Sequence, residues 1–342
     1  MSSPPAKTPE TSDIYRGLPD NFRTIHFSNY EATANTMDDI YANTSIQYVI
    51  LTSINKTQLD NLYQRRSSPY FRADYFPRHE LAVLRLCKPR VLHNGITYLL
   101  VRQLDTQARE MGMDVWTYCW GFNMLHTTTG RYKCPDECLF PRWRRQVASS
   151  GSCGEQQEGP EENRGKGKWP TLVLETALVD SGGRLEVDAE WWLKRRAKTT
   201  ARRNQECWDN SQGQEKKNSR LENYYDDENT EEERQGKQEH DTGEEQVNLV
   251  LLLKIDPPNK TLIIEKWEND GYSGGDAEEP VVRRTEAVKV SRDGISGALH
   301  LPFRGVFNRE PQGQERDFFF GGQGFFDVVW RDLDKAQYSW WI

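Results

Sequence analysis

The chain has 342 residues, of which 36% are hydrophobic and 28% are charged, and its net charge is −7 at pH 7. This length allows one large domain or two small ones with a hydrophobic core, while the high charged share predicts disordered segments between the folded parts. The negative balance does not indicate a protein that binds nucleic acid along its whole surface, although local basic patches could still bind it.

The sequence predicts an intracellular protein with no membrane partner. The start, MSSPPAKTPETSD, lacks the apolar segment of a secretory signal peptide, and no stretch has the length of a membrane span. Six cysteines in such a chain are expected to be reduced thiols. The basic cluster KRRAKTTARR, from Lys194 to Arg203, indicates a nuclear import signal, a phosphate-binding patch or simply a solvated helix end, so nucleus and cytoplasm both stay open.

The first part of the chain gives only weak indications of secondary structure. Residues 1–30 are rich in Pro, Ser and Thr at their start and predict a disordered tail. A strand is predicted at 47–52 and a short helix at about 57–64. The run ELAVLRL, 80–86, is typical of a strand because it is short and apolar.

A helix and a hairpin are predicted next. Apolar residues recur at helical spacing over 91–111 and predict an amphipathic helix. The segments 115–125 and 131–140 flank HTTTGR and indicate a β-hairpin turned at Gly130. Residues 146–168, rich in Gly, Ser, Glu and Gln, are expected to form a disordered insertion.

The central part alternates ordered elements with a second insertion. A strand is predicted at 170–176 and a helix at about 181–196, with Leu185, Ala189, Trp192 and Leu193 on one helix face. Residues 197–245 turn from basic to strongly acidic and are expected to be disordered. Two strands then follow at 247–255 and 261–268, joined by a turn at PPNK.

The C-terminal part, 285–342, is expected to pack on this core. Weaker strands are predicted at 285–291 and 298–303, and an apolar helix at 325–333. Residues 31–333 are therefore interpreted as a single domain with two insertions.

These elements predict an α/β fold. Between residues 91 and 255 the order is helix, three strands, helix and strand. The continuous apolar character of 171–174 and 249–253 indicates strands covered on both faces, and a right-handed crossover would make them parallel neighbours. The expected architecture is a mixed sheet flanked by helices.

Two carboxylates lie on neighbouring predicted strands. Asp136 follows Pro135, which cannot donate to a ladder and therefore marks an edge or a bulge, and Glu175 lies near the end of the apolar run WPTLVLETAL. Two carboxylates at adjacent strand ends can share a Mg²⁺ ion, which lowers the pKa of a bound water and stabilises charge on a phosphate. The alternative is a turn dipeptide and a solvated strand end.

This arrangement resembles the PD-(D/E)xK, or restriction endonuclease-like, superfamily. The resemblance is carried by Pro135-Asp136 in YKCPDECLFPR and by Glu175 in PTLVLE, within an αβββαβ core at 80–268. More closely, the chain is similar to fungal proteins related to the Uma2-like endonuclease group, through LEVDAEWWL, VNLVLLLKI, IIEKW and LHLPFRGVF.

The resemblance implies a nuclease that hydrolyses phosphodiester bonds in DNA with Mg²⁺ or Mn²⁺. Asp136, Glu175 and the backbone carbonyl of Thr176 would hold the metal, and Arg184 would contact the scissile phosphate. The oligomeric state is left open.

Two departures from the family pattern point to an alternative function. Ala177 stands where the superfamily places a lysine, and Asn94, after His93, stands where relatives place a glutamate. Arg184 cannot replace the lysine as a general base, because the pKa of a guanidinium is too high, and it could instead form an i,i+4 pair with Asp188. The alternative is therefore a catalytically inactive member of the fold that acts as a nucleic-acid or protein interaction module.

Cysteines also flank the Pro-Asp dipeptide. Cys134 and Cys138 have a CxxxC spacing, but no second Cys or His pair nearby completes a zinc site, so buried free thiols are expected. Trp191 and Trp192 could stack on a base, whereas the spacing of Trp192 with Leu185 indicates a core residue.

Overall fold

The computed structural model describes residues 14–64, 71–87, 90–114, 117–121, 125–126, 131–141, 169–181, 183–194, 246–269, 281–327, 329 and 331. The predicted insertions 146–168 and 197–245 and most of the basic cluster lie outside these residues. Within them, no helix is long and apolar enough to cross a membrane.

The described chain is a mixture of helices and strands, so the predicted α/β class is confirmed. The helices are α1 (Tyr30–Asn43), α2 (Lys56–Gln64), α3 (Arg90–Glu110), α4 (184–194), α5 (Phe303–Phe307) and α6 (322–327). The strands are β1 (Arg23–His26), β2 (Tyr48–Thr52), β3 (Phe71–Phe76), β4 (Leu81–Leu86), β5 (Tyr118–Gly121), β6 (Leu125–His126), β7 (Tyr132–Lys133), β8 (Glu137–Pro141), β9 (Leu172–Leu178), β10 (Leu249–Asp256), β11 (Thr261–Asn269), β12 (Val282–Ser291), β13 (Gly294–Gly297), β14 (Leu299–Leu301) and β15 (Phe318–Phe320).

Two large sheets organise these strands. The first, called sheet A, has six strands in the order β1-β2-β4-β3-β7-β6. The second, sheet B, has seven strands in the order β13-β12-β11-β10-β9-β8-β5, and a small sheet pairs β14 with β15. Sheet A was not predicted as a unit from the sequence, although its strands β2 and β4 were.

Sheet B contains the predicted core strands. Strands β9 and β10 are parallel, with Glu175 opposite Leu252, and β10 is antiparallel to β11, as the sequence predicts. The predicted hairpin pairs β5 with β8 in antiparallel orientation. Its second half, however, is divided: β7 joins sheet A and β8 joins sheet B. Asp136 therefore lies in the short connection between the two sheets.

Helices cover both faces of sheet B. Leu174 and Leu251 pack in one apolar cluster with Leu92 and Ile96 of α3. Val173 and Val250, from the opposite face of the same strands, pack with α4 residues that include Trp192. This double burial explains the nearly unbroken apolar runs of β9 and β10, because both faces of each strand need apolar side chains.

The ends of the described chain differ from the expectations. The tail predicted over 1–30 contains ordered structure from residue 14, since Ile14 is buried and β1 pairs in parallel with β2. The helix α1 begins at an Asn29 cap that accepts from the Ala32 amide at 2.9 Å. Near the C-terminus, the strand predicted at 298–303 is only β14, and α5 follows it. The helix predicted at 325–333 corresponds to α6, which begins earlier, at residue 322.

Candidate functional site

The candidate site lies where sheet A meets sheet B. Its charged side chains come from six places: Arg72 from β3, Arg85 from β4, Lys133 from β7, Asp136 from the β7–β8 connection, Glu175 from β9, and Arg184 and Asp188 from α4. His93 of α3 closes the site from the other face of sheet B. We call these residues the buried charge cluster, because all of them except Arg72, which is partly exposed, are buried.

Arg85 joins the two predicted metal carboxylates. Its Nη2 atom donates to Asp136 Oδ2 at 2.8 Å and also to Glu175 Oε2. The exposed fractions are 3% for Asp136 and 0% for Glu175, so water does not screen these contacts. The structure thus brings Asp136 and Glu175 together, as predicted, and places a guanidinium nitrogen between them.

Asp136 has further partners besides Arg85. The Thr176 amide donates to its Oδ2 atom at 2.6 Å, Arg72 Nε lies 3.1 Å from its Oδ1 atom, and His93 Nε2 lies 3.4 Å from Oδ2. Burial opposes ionisation of this carboxyl, but the charges of Arg85 and His93 outweigh it and hold its pKa well below the usual range. Asp136 is therefore a carboxylate at any physiological pH.

Glu175 is the weaker acid of the pair. Its burial is complete and raises its pKa, although Arg85 and Lys133 act in the opposite direction. Besides the Arg85 contact it accepts a hydrogen bond from Trp192 Nε1 to Oε1 at 2.7 Å. Glu175 lies on the same face of β9 as Val173 and Ala177, which explains why Trp192, in the cluster on that face, reaches it.

His93 contacts the third predicted metal ligand. Its Nε2 atom lies 3.0 Å from the Thr176 carbonyl oxygen, and its Nδ1 atom lies 3.3 Å from Asn94 Oδ1. Burial disfavours a charged imidazole, but the charge of Asp136 and a hydrogen bond with Cys87 raise the pKa of His93 to about 10. His93 is thus an imidazolium at neutral pH, which the sequence did not predict.

Arg184 is held inside the protein. It donates to the carbonyl oxygens of Ile14 at 2.9 Å and of Arg16 at 3.2 Å, and to Asp74 Oδ2 at 2.9 Å. Its Nε atom lies 3.3 Å from Asp188 Oδ1, so the i,i+4 ion pair suggested by the sequence spacing is present. With 1% of its surface exposed, Arg184 binds the N-terminal segment and α4 and does not face solvent where a phosphate would arrive.

Among the described residues, no lysine substitutes for the one that the family pattern expects at Ala177 on β9. Lys254 is the register partner of Ala177 on β10, but its Nζ atom contacts Glu186 at 2.5 Å and Glu265 at 2.9 Å instead. Lys133 is the lysine of the buried charge cluster, and its Nζ atom contacts Asp188.

A small cavity adjoins the cluster. Its volume is about 20 Å³, and its lining includes Tyr48, Arg85, Lys133 and Asp188. The Tyr48 hydroxyl and the Arg85 Nε and Nη1 atoms reach this region without a hydrogen bond to another described residue. About 10–15 Å³ is the smallest such volume that holds one water molecule, so a hydrated ion does not fit.

Four residues of the site were not predicted from the sequence: Arg72, Arg85, Cys87 and Lys133. A signal for Arg85 was available: it is the one charged residue in the otherwise apolar strand LAVLRL, all of which is buried. A charge in a fully buried strand needs a partner, and such a residue is a candidate for a buried ion pair. The partners themselves lie far away in the sequence and could not be predicted from local patterns.

The predicted buried thiols and the predicted core tryptophan are confirmed. Cys134 and Cys138 are free and buried, and Trp192 is a core residue with 1% of its surface exposed. Trp191 packs against it edge to face, with ring centroids 4.7 Å apart.

No protein-family model matches this chain, and a search of curated proteins gave no match.

Proposed function

We propose that this protein is a catalytically inactive descendant of a nuclease-like fold that acts as an interaction module, with nucleic acid as its partner. The observation that carries the proposal is the position of Arg85 between Asp136 and Glu175. The guanidinium stands where a metal ion shared by the two carboxylates would stand.

Protein cations contact each of the three expected metal ligands. Arg85 and Arg72 pair with Asp136, Arg85 pairs with Glu175, and the charged His93 lies against the Thr176 carbonyl. A metal ion shared by Asp136 and Glu175 would meet the guanidinium of Arg85 between the two carboxylates. Like charges in a buried site repel strongly, because little water screens them.

Mg²⁺ does not fit this donor set. The ion takes six oxygens at about 2.0–2.1 Å and normally keeps several waters. Here a hydrogen-bonded nitrogen lies between the two carboxylates, and the adjacent cavity of about 20 Å³ has no room for a hydration shell.

Descent from a nuclease is supported by the order of the central elements. The helix α3, the strands β5, β8 and β9, the helix α4 and the strand β10 follow the αβββαβ order of the PD-(D/E)xK core. The strands β5, β8, β9 and β10 are neighbours in this order, and only the last pair is parallel. The resemblance assigns the motif carboxylates to Asp136 and Glu175, and their common contact with Arg85 supports this assignment, while the cation between them differs from a metal ion.

The first test is a cleavage assay on the full chain. Single- and double-stranded DNA are incubated with the purified protein and Mg²⁺ or Mn²⁺, and no product is expected above the level of a mock purification. Cleavage that disappears in both Asp136→Ala and Glu175→Ala would overturn the proposal, because the carboxylates would then be catalytic. Cleavage that persists in both variants would indicate a contaminant and would leave the proposal standing.

The second test concerns the partner. Fluorescence anisotropy with labelled DNA and RNA at low and high salt is expected to give saturable binding that weakens as salt increases, because phosphate contacts release counterions. Binding to neither nucleic acid by a folded protein would contradict the nucleic-acid part of the proposal and favour a protein partner.

A further inference from the structure

Three potential metal ligands lie together on the α3 side of the site. They are Cys87, which follows β4, His93 on α3, and Asp136, and they expose 2%, 2% and 3% of their surfaces. A thiol sulfur, an imidazole nitrogen and a carboxylate oxygen from these residues all lie within 4.8 Å of one another. The sequence does not indicate this group, because His93 comes six positions after Cys87 and Asp136 more than forty positions after His93.

We propose that Cys87, His93 and Asp136 form a binding site for a transition-metal ion of the zinc class. The set combines a sulfur, a nitrogen and an oxygen ligand, which is the chemistry that zinc prefers and magnesium does not. The site lies on the α3 side of Asp136, whereas Arg85 lies between Asp136 and Glu175, and the Asp136 Oδ2 atom contacts both His93 and Arg85.

The spacing of the donor atoms agrees with a tetrahedral shell. Bonds of about 2.0–2.1 Å to nitrogen and oxygen at tetrahedral angles place neighbouring ligand atoms roughly 3.3 Å apart. His93 Nε2 is 3.4 Å from Asp136 Oδ2 and 3.0 Å from the Thr176 carbonyl oxygen. The Thr176 carbonyl therefore lies where it can supply a fourth donor.

His93 is oriented as a metal ligand would be. Ligating histidines usually donate their second ring N–H to a carbonyl or carboxylate oxygen, which fixes the ring. His93 Nδ1 lies 3.3 Å from the Asn94 side-chain oxygen, so Nε2 is the atom that faces the site. A hydrogen bond of 2.8 Å between the Thr97 and Thr176 hydroxyls holds that part of β9 against α3.

The test uses Co²⁺ as a spectroscopic substitute for Zn²⁺. Chelator-treated full-length protein is titrated with Co²⁺ and observed by absorption. We expect the absorption bands of tetrahedral Co²⁺ and a sulfur-to-cobalt charge-transfer band, both of which saturate at one ion per chain. Added Zn²⁺ is expected to displace Co²⁺ and so to remove both sets of bands. The charge-transfer band is expected to disappear in Cys87→Ser. It is expected to persist in the matched control Cys138→Ser, which removes a different buried thiol, one that donates to the Gly121 carbonyl oxygen at 2.9 Å.

Asn94 offers a variant that does not threaten folding, because its side chain is exposed. Loss of an outer hydrogen bond to a ligating histidine typically lowers metal affinity about 10–100-fold. Asn94→Ala is therefore expected to weaken Co²⁺ binding by that factor, whereas Asn94→Asp is expected to tighten it. X-ray absorption of the zinc-loaded wild type should show one sulfur at about 2.3 Å.

Two results would overturn the inference. One is a wild-type protein that develops no sulfur-to-cobalt band, and the other is a band that survives Cys87→Ser while disappearing in Cys138→Ser. Neither result depends on nuclease activity, so the failure of this inference and the failure of the proposed function can be told apart.

Discussion

Arg85 and Glu175 meet as a buried ion pair although 90 positions separate them in the chain. Arg85 belongs to sheet A and Glu175 to sheet B, so their contact joins the two halves of the described structure. The same guanidinium nitrogen holds Asp136 at 2.8 Å. A glutamate that the sequence predicted as a metal ligand is thus neutralised by a side chain of the protein itself.

Removal of Arg85 should leave two buried carboxylates without their common cation. Breaking a buried ion pair from one side costs about 3–5 kcal/mol, because the remaining charge is neither hydrated nor paired. Arg85→Gln is expected to lower the free energy of unfolding by that amount, measured by urea denaturation. Arg304→Gln, which breaks a surface pair with Glu310, should leave stability within experimental error. A loss for Arg85→Gln as small as that control would contradict the assigned role.

The same variant tests the metal argument. With the guanidinium gone, Asp136 and Glu175 become available to an added cation. Mn²⁺ is expected to raise the melting temperature of Arg85→Gln and to leave that of the wild type unchanged, as measured by scanning fluorimetry. An equal shift in both proteins would show that Arg85 does not block the site.

Trp192 should contribute to stability through its indole N–H. The hydrogen bond to Glu175 is 2.7 Å long and fully buried. Hydrogen bonds to charged groups contribute about 1.5–3 kcal/mol, so Trp192→Phe should lose at least that amount, with a further loss from the smaller ring. Trp191→Phe is the matched control at the adjacent, half-buried position, and it should cost clearly less. Equal costs for the two variants would argue against the Glu175 contact.

The charge of His93 predicts a loss of stability in alkali. Its folded-state pKa of about 10 is above the ordinary value of 6.5, so its contribution is complete below pH 6.5 and disappears as the pH rises through about 10. The unfolding free energy should therefore decrease between these pH values. His93→Asn should be less stable at pH 6 and should show a flatter profile over the same range, which urea denaturation at a series of pH values would establish. Parallel profiles would contradict the charged state.

The raised pKa of Glu137 predicts that the free energy of unfolding depends on pH between acid and neutral values. Burial in β8 raises the pKa of this carboxyl from 4.5 to about 7. Because the folded state holds the proton more tightly than the unfolded state, stability should be highest below pH 4.5 and should decrease as the pH rises to about 7. Glu137→Gln is expected to abolish this decrease and to be more stable than the wild type at pH 8. A variant less stable than the wild type at pH 8 would show that the carboxylate has a partner that favours its charge.

Gly17 should be intolerant of a side chain. Its φ angle is +72°, and a Cβ atom there would lie 2.6 Å from the backbone carbonyl of Gly183. Gly17→Ala is therefore expected to displace the segment that binds Arg184 and to lower the melting temperature. Gly313→Ala provides the control, since its φ of +60° carries similar backbone strain in open space. If both variants lose the same stability, backbone strain alone explains the effect of Gly17→Ala.

Local patterns in the sequence determined the central elements. The apolar runs of β9 and β10 predicted two strands buried on both faces, and the structure pairs them in parallel. The spacing of Leu185 and Trp192 predicted the inner face of α4, and both residues are buried there. These predictions succeed because hydrophobic periodicity reflects burial within one element.

Only the tertiary structure decided which cation the carboxylates meet. The sequence placed Asp136 and Glu175 on neighbouring strands, and this proximity is confirmed by their shared contact with Arg85. It did not reveal that β7 leaves the predicted hairpin for sheet A, or that Arg85 and His93 approach from β4 and α3. Such contacts join residues far apart in the chain, and they depend on how two sheets and a helix pack. Periodicity within a single element does not depend on that packing. Two carboxylates whose sequence positions are compatible with a metal site can therefore bind an arginine side chain instead.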